Sequence, residues 1–317
     1  MRRVLVTGAS GFVGRGLMAR LAGSGSGWAP VAGVRRAAET FCDEWALGPL
    51  EDFGSESGLP DELDAVVHLA GRAHVLDEPE ADPLHAFRRV NVEGTLRFAR
   101  QAADSGVRRF LFVSSVGVNG NVSQRPFTER DVPAPQDPYA VTKYEAEQGL
   151  WDLAAETDME VVVIRPPLVY GPGAPGNFGS LLRWVHRGVP LPLGAVTHNL
   201  RSLVALDNLV DLIVTCLDHP KAAGEAFLVA DGEDVSTAGL LRKVGDALGR
   251  RARLVSVPVW VLRAAALALG KREMARRLLD SLQVDILHTR ETLGWEPPVS
   301  VDEGLRRAVA PLLERGR

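Results

Sequence analysis

Val4-Leu5-Val6-Thr7-Gly8-Ala9-Ser10-Gly11-Phe12-Val13-Gly14 opens the 317-residue chain and decides its fold. A β-favouring run breaks into glycines spaced GxxGxxG, after which apolar residues recur at helical spacing. The segment therefore reads as a strand, a tight turn and a helix start. Gly8 and Gly11 permit backbone amides to approach a pyrophosphate. Gly14 lets the helix lie close on the sheet, with its positive end facing the phosphates. The spacing departs from the GxGxxG of ordinary dehydrogenases, and a purely structural turn is the plain alternative.

Working outward, strands at 4–7, 31–34, 65–70, 109–114 and 161–165 alternate with helices at 11–22, 87–105 and 139–156. Buried strands interleaved with such helices predict βαβ units, hence an α/β fold with a Rossmann-like doubly wound parallel sheet. After residue 170 the pattern loosens, with loops at 171–176 and 190–194 and helices around 207–217, 236–248 and 259–269. The expected division is a dinucleotide-binding domain over 1–170, with a return segment near 199–216, and a smaller, mainly helical substrate domain over 171–317. The second domain should cap the carboxyl edge of the sheet, where open α/β sheets bind ligands.

Composition narrows the classes. Thirty-six Lys and Arg against 40 Asp and Glu leave a net charge of −4, which argues against a general nucleic-acid binder. Cys42 and Cys216 stand far apart, without the spacing of a disulfide scaffold or zinc site, so no metal is expected and a reducing cytoplasm fits. The N-terminus lacks the apolar stretch of an export signal. The most apolar late run, at 258–270, contains Arg263. It falls short of the roughly 20 residues of a membrane span and reads as a buried or interfacial helix. A soluble protein with no membrane partner is expected.

The second strand ends Val31-Ala32-Gly33-Val34-Arg35-Arg36, with no carboxylate where an adenosine ribose would be read. A carboxylate there would chelate the 2′-hydroxyl. Arginines pair instead with a 2′-phosphate, which favours NADP(H) over NAD(H), unless Arg35 and Arg36 are simply solvated. Further on, Tyr139-Ala140-Val141-Thr142-Lys143 sets a phenol and an ammonium four residues apart on one helix face. A neighbouring Lys⁺ and an oxidised nicotinamide both favour the phenolate, which could then exchange a proton with an alcohol or carbonyl oxygen as hydride moves. Ser114-Ser115 ends a predicted strand and offers Ser115 to hold that oxygen.

On these residues the chain resembles the extended short-chain dehydrogenase/reductases, the NAD(P)-dependent epimerase/dehydratase family with its UDP-glucose 4-epimerase-like branch. The resemblance also rests on His68-Leu69-Ala70-Gly71, Asn91-Val92-Glu93-Gly94-Thr95, Arg165-Pro166-Pro167-Leu168-Val169-Tyr170-Gly171-Pro172-Gly173 and Leu293-Gly294-Trp295-Glu296-Pro297. It implies a catalytic set of Ser115, Tyr139 and Lys143. It implies a cofactor bordered by Gly8, Ser10, Gly11, Phe12, Val13, Gly14, Arg35, Arg36, Leu69, Ala70, Gly71, Asn91, Ser114, Tyr139, Lys143 and Pro166. For a nucleotide-sugar substrate it implies a diphosphate clamp of Arg201 with Arg277 (Arg276 being the near alternative), Asn177 on phosphate or sugar, Leu191 and Pro192 flanking a uracil, and Arg72 and His74 near the sugar. Members commonly form homodimers through the helices holding Tyr139 and Asn91, and Ala140, Val141, Ala146, Leu150 and Leu153 would suit such a face or the core. Two departures stand out: Asn119 replaces an aromatic near the site, and the acidic ribose reader is missing.

The expected reaction is NAD(P)-dependent hydride transfer at C4 of a UDP-hexose, as a 4-epimerase or a 4-keto-sugar reductase. Dehydration is disfavoured because Val116-Gly117 carries no carboxylate. A dihydroflavonol- or hydroxysteroid-type NADPH reductase would share the fold and the Tyr/Lys pair but need no diphosphate clamp. A non-enzymatic NAD(P)-sensing regulator would have no use for the Tyr/Lys pair.

Overall fold

The computed structural model describes residues 1–23, 25–36, 43–53, 58–73 and 82–314; Cys42 and His74 lie outside them. Strand β1 (Arg2–Thr7) leads through the glycine turn into α1 (Phe12–Ala22), then to β2 (Trp28–Val34), β3 (Glu44–Ala46) and β4 (Ala65–His68). Helices α2 (Pro83–Arg88) and α3 (Thr95–Asp104) are joined without a break by a π-helical stretch, Arg89–Gly94. Then come β5 (Arg109–Val113), α4 (Pro138–Glu156), β6 (Glu160–Arg165) and β7 (Leu168–Tyr170). The remainder holds α5 (Gly176–His186), β8 (Leu203–Ala205), α6 (Leu206–Asp218), β9 (Ala226–Leu228), α7 (Thr237–Ala247), α8 (Val259–Ala268), α9 (Arg272–Leu279), α10 (Leu287–Leu293) and α11 (Val301–Glu314).

Seven strands form one parallel sheet in the order β3-β2-β1-β4-β5-β6-β9. The winding direction reverses between β1 and β4, and the crevice beyond their carboxyl ends is where such sheets take ligands. Covered on both faces, the central strands can be apolar throughout: Val4, Leu5 and Val6, then Phe110, Leu111 and Phe112, are all fully buried. One face packs on α1 and α6 through Leu17, Leu21, Leu209 and Ile213. The other packs on α3 and α4 through Phe98, Ala102, Leu150 and Leu153. A separate core of Phe178, Leu182, Leu241 and Leu305 holds the smaller C-terminal helical bundle together.

The doubly wound sheet agrees with the sequence expectation, but the chain after residue 170 is richer than expected. It supplies the seventh strand, β9, and pairs β8 with β7 in a second small sheet. Each of these strands has three residues, too few to display either alternation or a sustained apolar run. Ala140, Ala146, Leu150 and Leu153 are buried within this one chain, so core packing alone accounts for them. The apolar run at 258–270 is not buried: no residue of α8 is. Among the described residues no helix is long and apolar enough to cross a membrane.

Candidate active site

The glycine turn leaves no room for side chains. Gly8 has φ +68, and a Cβ there would lie 2.9 Å from the Ala70 amide nitrogen; at Gly14 one would lie 2.2 Å from the Gly8 carbonyl oxygen. Gly11 N–H donates to Gly8 O (2.9 Å), and no side chain caps α1, so the amides of its first turn are available to a phosphate. Above the turn lies a groove of about 880 Å³ whose lining includes Gly8, Ser10, Gly11, Arg35, Arg36, Leu69, Ala70 and Gly71. The size, bare backbone and helix end fit a dinucleotide. Phe12 and Val13 turn their side chains against two different cores, which leaves their amides toward the turn. Arg35 and Arg36 are exposed at the groove, with Glu44 and Glu51 also in its lining.

A buried histidine fixes the opposite wall. The Thr7 hydroxyl accepts from Ala70 N–H (3.1 Å) and is hydrogen-bonded to His68 Nδ1 (2.9 Å), while His68 Nε2 is hydrogen-bonded to Thr95 Oγ1 (3.0 Å). Burial, seconded by the charge of Lys143, pushes His68 down to about 3, which keeps the ring neutral.

The serine and the tyrosine meet through tight local structure. Ser114 N–H donates to Ile164 O (2.8 Å), while its buried Oγ has no hydrogen-bond partner among the described residues. Ser115 Oγ accepts from Gly117 N–H (3.1 Å), which leaves its proton for another oxygen. Asp137 caps α4 by accepting from Ala140 N–H (2.9 Å) and Pro138 fills the first helical position, so Tyr139 sits in the first turn and Lys143 one turn on. A Cβ at Gly117 would lie 3.2 Å from Ala140 Cβ and 3.3 Å from Ser115 Oγ, which puts the serine loop against that first turn. Pro166, also buried, accepts at its carbonyl from Val116 N–H (3.0 Å).

Lys143 is only 4% exposed, with its ammonium 4.0 Å from the centre of the Phe112 ring. A Cβ at Gly71 would lie 4.0 Å from Lys143 Nζ and 3.1 Å from Asn91 Oδ1, so both side chains reach the edge of the groove. Asn91 lies in the π-helical stretch. Its Nδ2 donates to Thr142 Oγ1 and to Arg72 O (both 3.1 Å), and its Oδ1 accepts from Arg72 N–H (2.7 Å). Burial pushes the Tyr139 phenol up to about 12, with the Asp137 carboxylate adding to the shift. Burial likewise brings Lys143 down to about 7, against the pull of Glu147. The expected acidification of the phenol rests on Lys143 together with an oxidised nicotinamide. In the protein by itself desolvation dominates, and it drives both groups toward their neutral forms.

Two features escaped the sequence reading. Glu147, one turn beyond Lys143, forms a buried ion pair with Arg165 (Nε to Oε1 3.0 Å), and Arg165 Nη1 also donates to Asn119 Oδ1 (3.3 Å). Asn119 is thus a buried anchor, and its Nδ2 donates to Thr128 O (2.9 Å). In addition, the segment between β5 and α4 joins the C-terminal half: Ser123 N–H donates to Ser281 O (2.9 Å) and Phe127 N–H to Gln283 O (2.8 Å). The Asp137-Pro138 cap was a legible signal; the two long-range links were not.

Of the arginines expected to clamp a diphosphate, Arg277 lies within range for its charge to act on Arg201. Arg201 Nη1 donates to Asp280 O (3.1 Å), and burial followed by the positive charge of Arg277 lowers the Arg201 guanidinium to about 10. The Asp280 carboxylate is engaged by Arg263 instead. Arg276 takes a different role: it donates to Gln136 Oε1 (3.2 Å) and pairs with Glu273. Asn177 is exposed in the first turn of α5, and Arg72 is half-buried near the Phe87 ring. Pro192 is exposed, whereas Leu191 is 6% exposed and packs in the bundle core.

Comparison with known proteins gives the same picture over the whole chain. Residues 4–230 match the model of the NAD dependent epimerase/dehydratase family. A Vibrio cholerae protein named UDP-glucose 4-epimerase is 46% identical over 99% of this chain and 96% of its own. The structure of RMD from Pseudomonas aeruginosa, complexed with NADPH, superimposes with a TM-score of 0.74 at 27% identity, covering 98% of both chains. That of MoeE5 in complex with UDP-glucose and NAD does so with a TM-score of 0.77 at 25% identity, over 99% of this chain and 100% of the other. With the glycine turn, the groove above it, Lys143 at the groove's edge and Tyr139 one turn before it on α4, this chain belongs to the NAD dependent epimerase/dehydratase family.

Proposed function

We propose that this chain moves hydride between a nicotinamide and C4 of a UDP-linked hexose, as a 4-epimerase or a 4-keto-sugar reductase. The observation that carries the reading is a half-buried Arg201 on which the charge of Arg277 acts, in the same molecule as a buried Lys143 that reaches the edge of a dinucleotide-sized groove, one helical turn from Tyr139. Like charges held close are unfavourable without an anion to share, and a diphosphate is such an anion. A hydroxysteroid-type substrate would give that pair nothing to bind, and a cofactor-sensing regulator would need neither pair. The name of the Vibrio cholerae relative and the UDP-glucose bound by MoeE5 support the substrate class.

The bound nicotinamide supplies the hydride donor or acceptor. The Ser115 hydroxyl, free to donate, holds the C4 oxygen of the sugar. Tyr139 passes a proton to or from that oxygen, and its ordinary reluctance to ionise is lowered when a positive nicotinamide adjoins it. Lys143 brings its side-chain nitrogen to the groove's edge one turn after Tyr139, while Asn91, bonded to Thr142, holds the first turns of α4 in register. Arg201 and Arg277 grip the diphosphate, with Asn177, Pro192 and Arg72 nearest to the remaining substrate contacts. A homodimer and a cytoplasmic location, where nucleotide sugars and nicotinamides are both available, belong to the same reading.

The cofactor is NADP(H) in preference to NAD(H), because Arg35 and Arg36 line the groove where a 2′-phosphate would sit. Arg35→Asp should shift the NADPH to NADH affinity ratio by about 10-fold or more toward NADH, the scale of one charge-assisted hydrogen bond. An unchanged ratio would remove Arg35 from the ribose site. UDP-hexoses supplied with the oxidised cofactors, and their 4-keto derivatives supplied with the reduced ones, separate the two reactions. Net consumption of reduced cofactor marks a reductase, and interconversion of sugars without consumption marks an epimerase. Turnover of none of them would overturn the reading.

A further inference from the structure

Helix α8 reads Val-Trp-Val-Leu-Arg-Ala-Ala-Ala-Leu-Ala, and none of its residues is buried. Val259 and Leu262 rest partly against the bundle core, so the other side of the helix faces outward. On that side Trp260, Ala264, Leu267 and Ala268 follow helical spacing, and Leu269 and Met274 extend the stripe across the turn into α9. Trp260 is 72% exposed, Leu267 68% and Leu269 70%. Single exposed apolar residues are normal; a contiguous stripe led by a tryptophan marks a docking surface.

The charge around the stripe says what covers it. Residues 249–279 hold eight Arg and Lys and one Glu, in a chain whose net charge is −4. The rest of the molecule is therefore strongly acidic, and the basic residues gather around one apolar helix. Lys271 and Arg272, both exposed, stand at the turn between α8 and α9, and Arg251 and Arg253 are exposed on the segment leading into α8. A second copy placed two-fold on this face would set the same positive charge against itself. An anionic lipid surface satisfies both the stripe and the charge.

We propose that the α8–α9 hairpin docks on an anionic membrane surface, with α8 lying in the headgroup plane, Trp260 and Leu267 inserted, and Lys271 and Arg272 on lipid phosphates. A helix lying on a bilayer needs no span, so the lack of a spanning helix does not bear on it. The hairpin also carries Arg277, and Arg263 of α8 pairs with Asp280, whose carbonyl holds Arg201. Docking thus sets the cation pair close to the membrane. This inference rests on the surface alone and stands or falls apart from the assigned reaction.

The test is co-sedimentation of the full-length protein with vesicles of phosphatidylcholine alone and of phosphatidylcholine with one third phosphatidylglycerol. Binding to the anionic vesicles should be about tenfold or more tighter than to the neutral ones and should weaken with salt. Trp260→Ser/Leu267→Ser should lose most of that binding, and Lys271→Glu/Arg272→Glu its salt-sensitive part, with reduced-dinucleotide binding unchanged in both. Brominated lipid should quench a tryptophan signal that Trp260→Phe lacks. Binding to neither vesicle, binding that the Trp260/Leu267 variant retains, or absence of that quenching would overturn the proposal. So would a dimer, seen by light scattering, that the same variant dissolves, because the stripe would then belong to a second copy.

Discussion

An ammonium held against the Phe112 ring and shut off from water carries a cost that varies with pH. The ordinary lysine value is 10.5, and burial brings Lys143 to about 7. Between these values the unfolded chain binds the proton that the folded chain has lost, so stability should rise with pH across that window. Below about 7 both states are charged and the full penalty of burial applies. Lys143→Met should therefore raise the melting temperature of the ligand-free protein at pH 6, by the equivalent of about 1–3 kcal/mol, with the difference closing by pH 10. Calorimetry at the two pH values checks this, and an equal difference at both would show that Lys143 does not titrate in the window. Tyr139→Phe isolates the proton transfer: turnover should fall by about 10²–10⁴-fold, while dinucleotide affinity stays within a few-fold. Both residues were legible because a four-residue spacing is itself a helix contact. The desolvation that outweighs their mutual influence was not, since it depends on what the fold packs around them.

Helix α4 does more than present that pair. Its Asp137-Pro138 start sets which residues occupy the first turn, and Glu147, further along, ties it to β6 through Arg165. Glu147 is fully buried and Arg165 nearly so, so removing one partner strands the other charge in the interior. Glu147→Ala should cost about 3–5 kcal/mol in urea unfolding, and Glu147→Leu/Arg165→Met should recover most of the loss. Equal losses in the single and double variants would mean that the pair stabilises chiefly by its attraction. The helix and its cap were readable from local sequence. The ion pair was not, because Glu147 and Arg165 meet only when α4 lies across β6, and Asn119 could be seen only as a missing aromatic. Strand β9 escaped for a similar reason: its three residues form a strand because β6 offers an edge.

At the scale of the whole molecule, the cation pair depends on two parts of the chain agreeing on one position. Arg201 precedes β8, where its backbone bridges Val235 and Leu282, and Arg277 arrives from α9 in the helical bundle. Family resemblance named both residues, but only the packing of the bundle beside the sheet could bring Arg277 within range of Arg201. The same packing put Leu191 into the core. If the pair awaits a diphosphate, UDP alone should bind and should clamp the bundle to the rest of the fold. Ligand at 100 times its dissociation constant stabilises by about 2.7 kcal/mol, which in a chain of this length raises the melting temperature by several degrees. Uridine should do far less, because it lacks the anion. In Arg201→Ala the UDP shift should largely disappear, while the shift caused by NADPH, which binds over the glycine turn, should remain. Equal UDP shifts in the native protein and in Arg201→Ala would leave the cation pair without its assigned ligand, even if Tyr139 and Lys143 behaved as described.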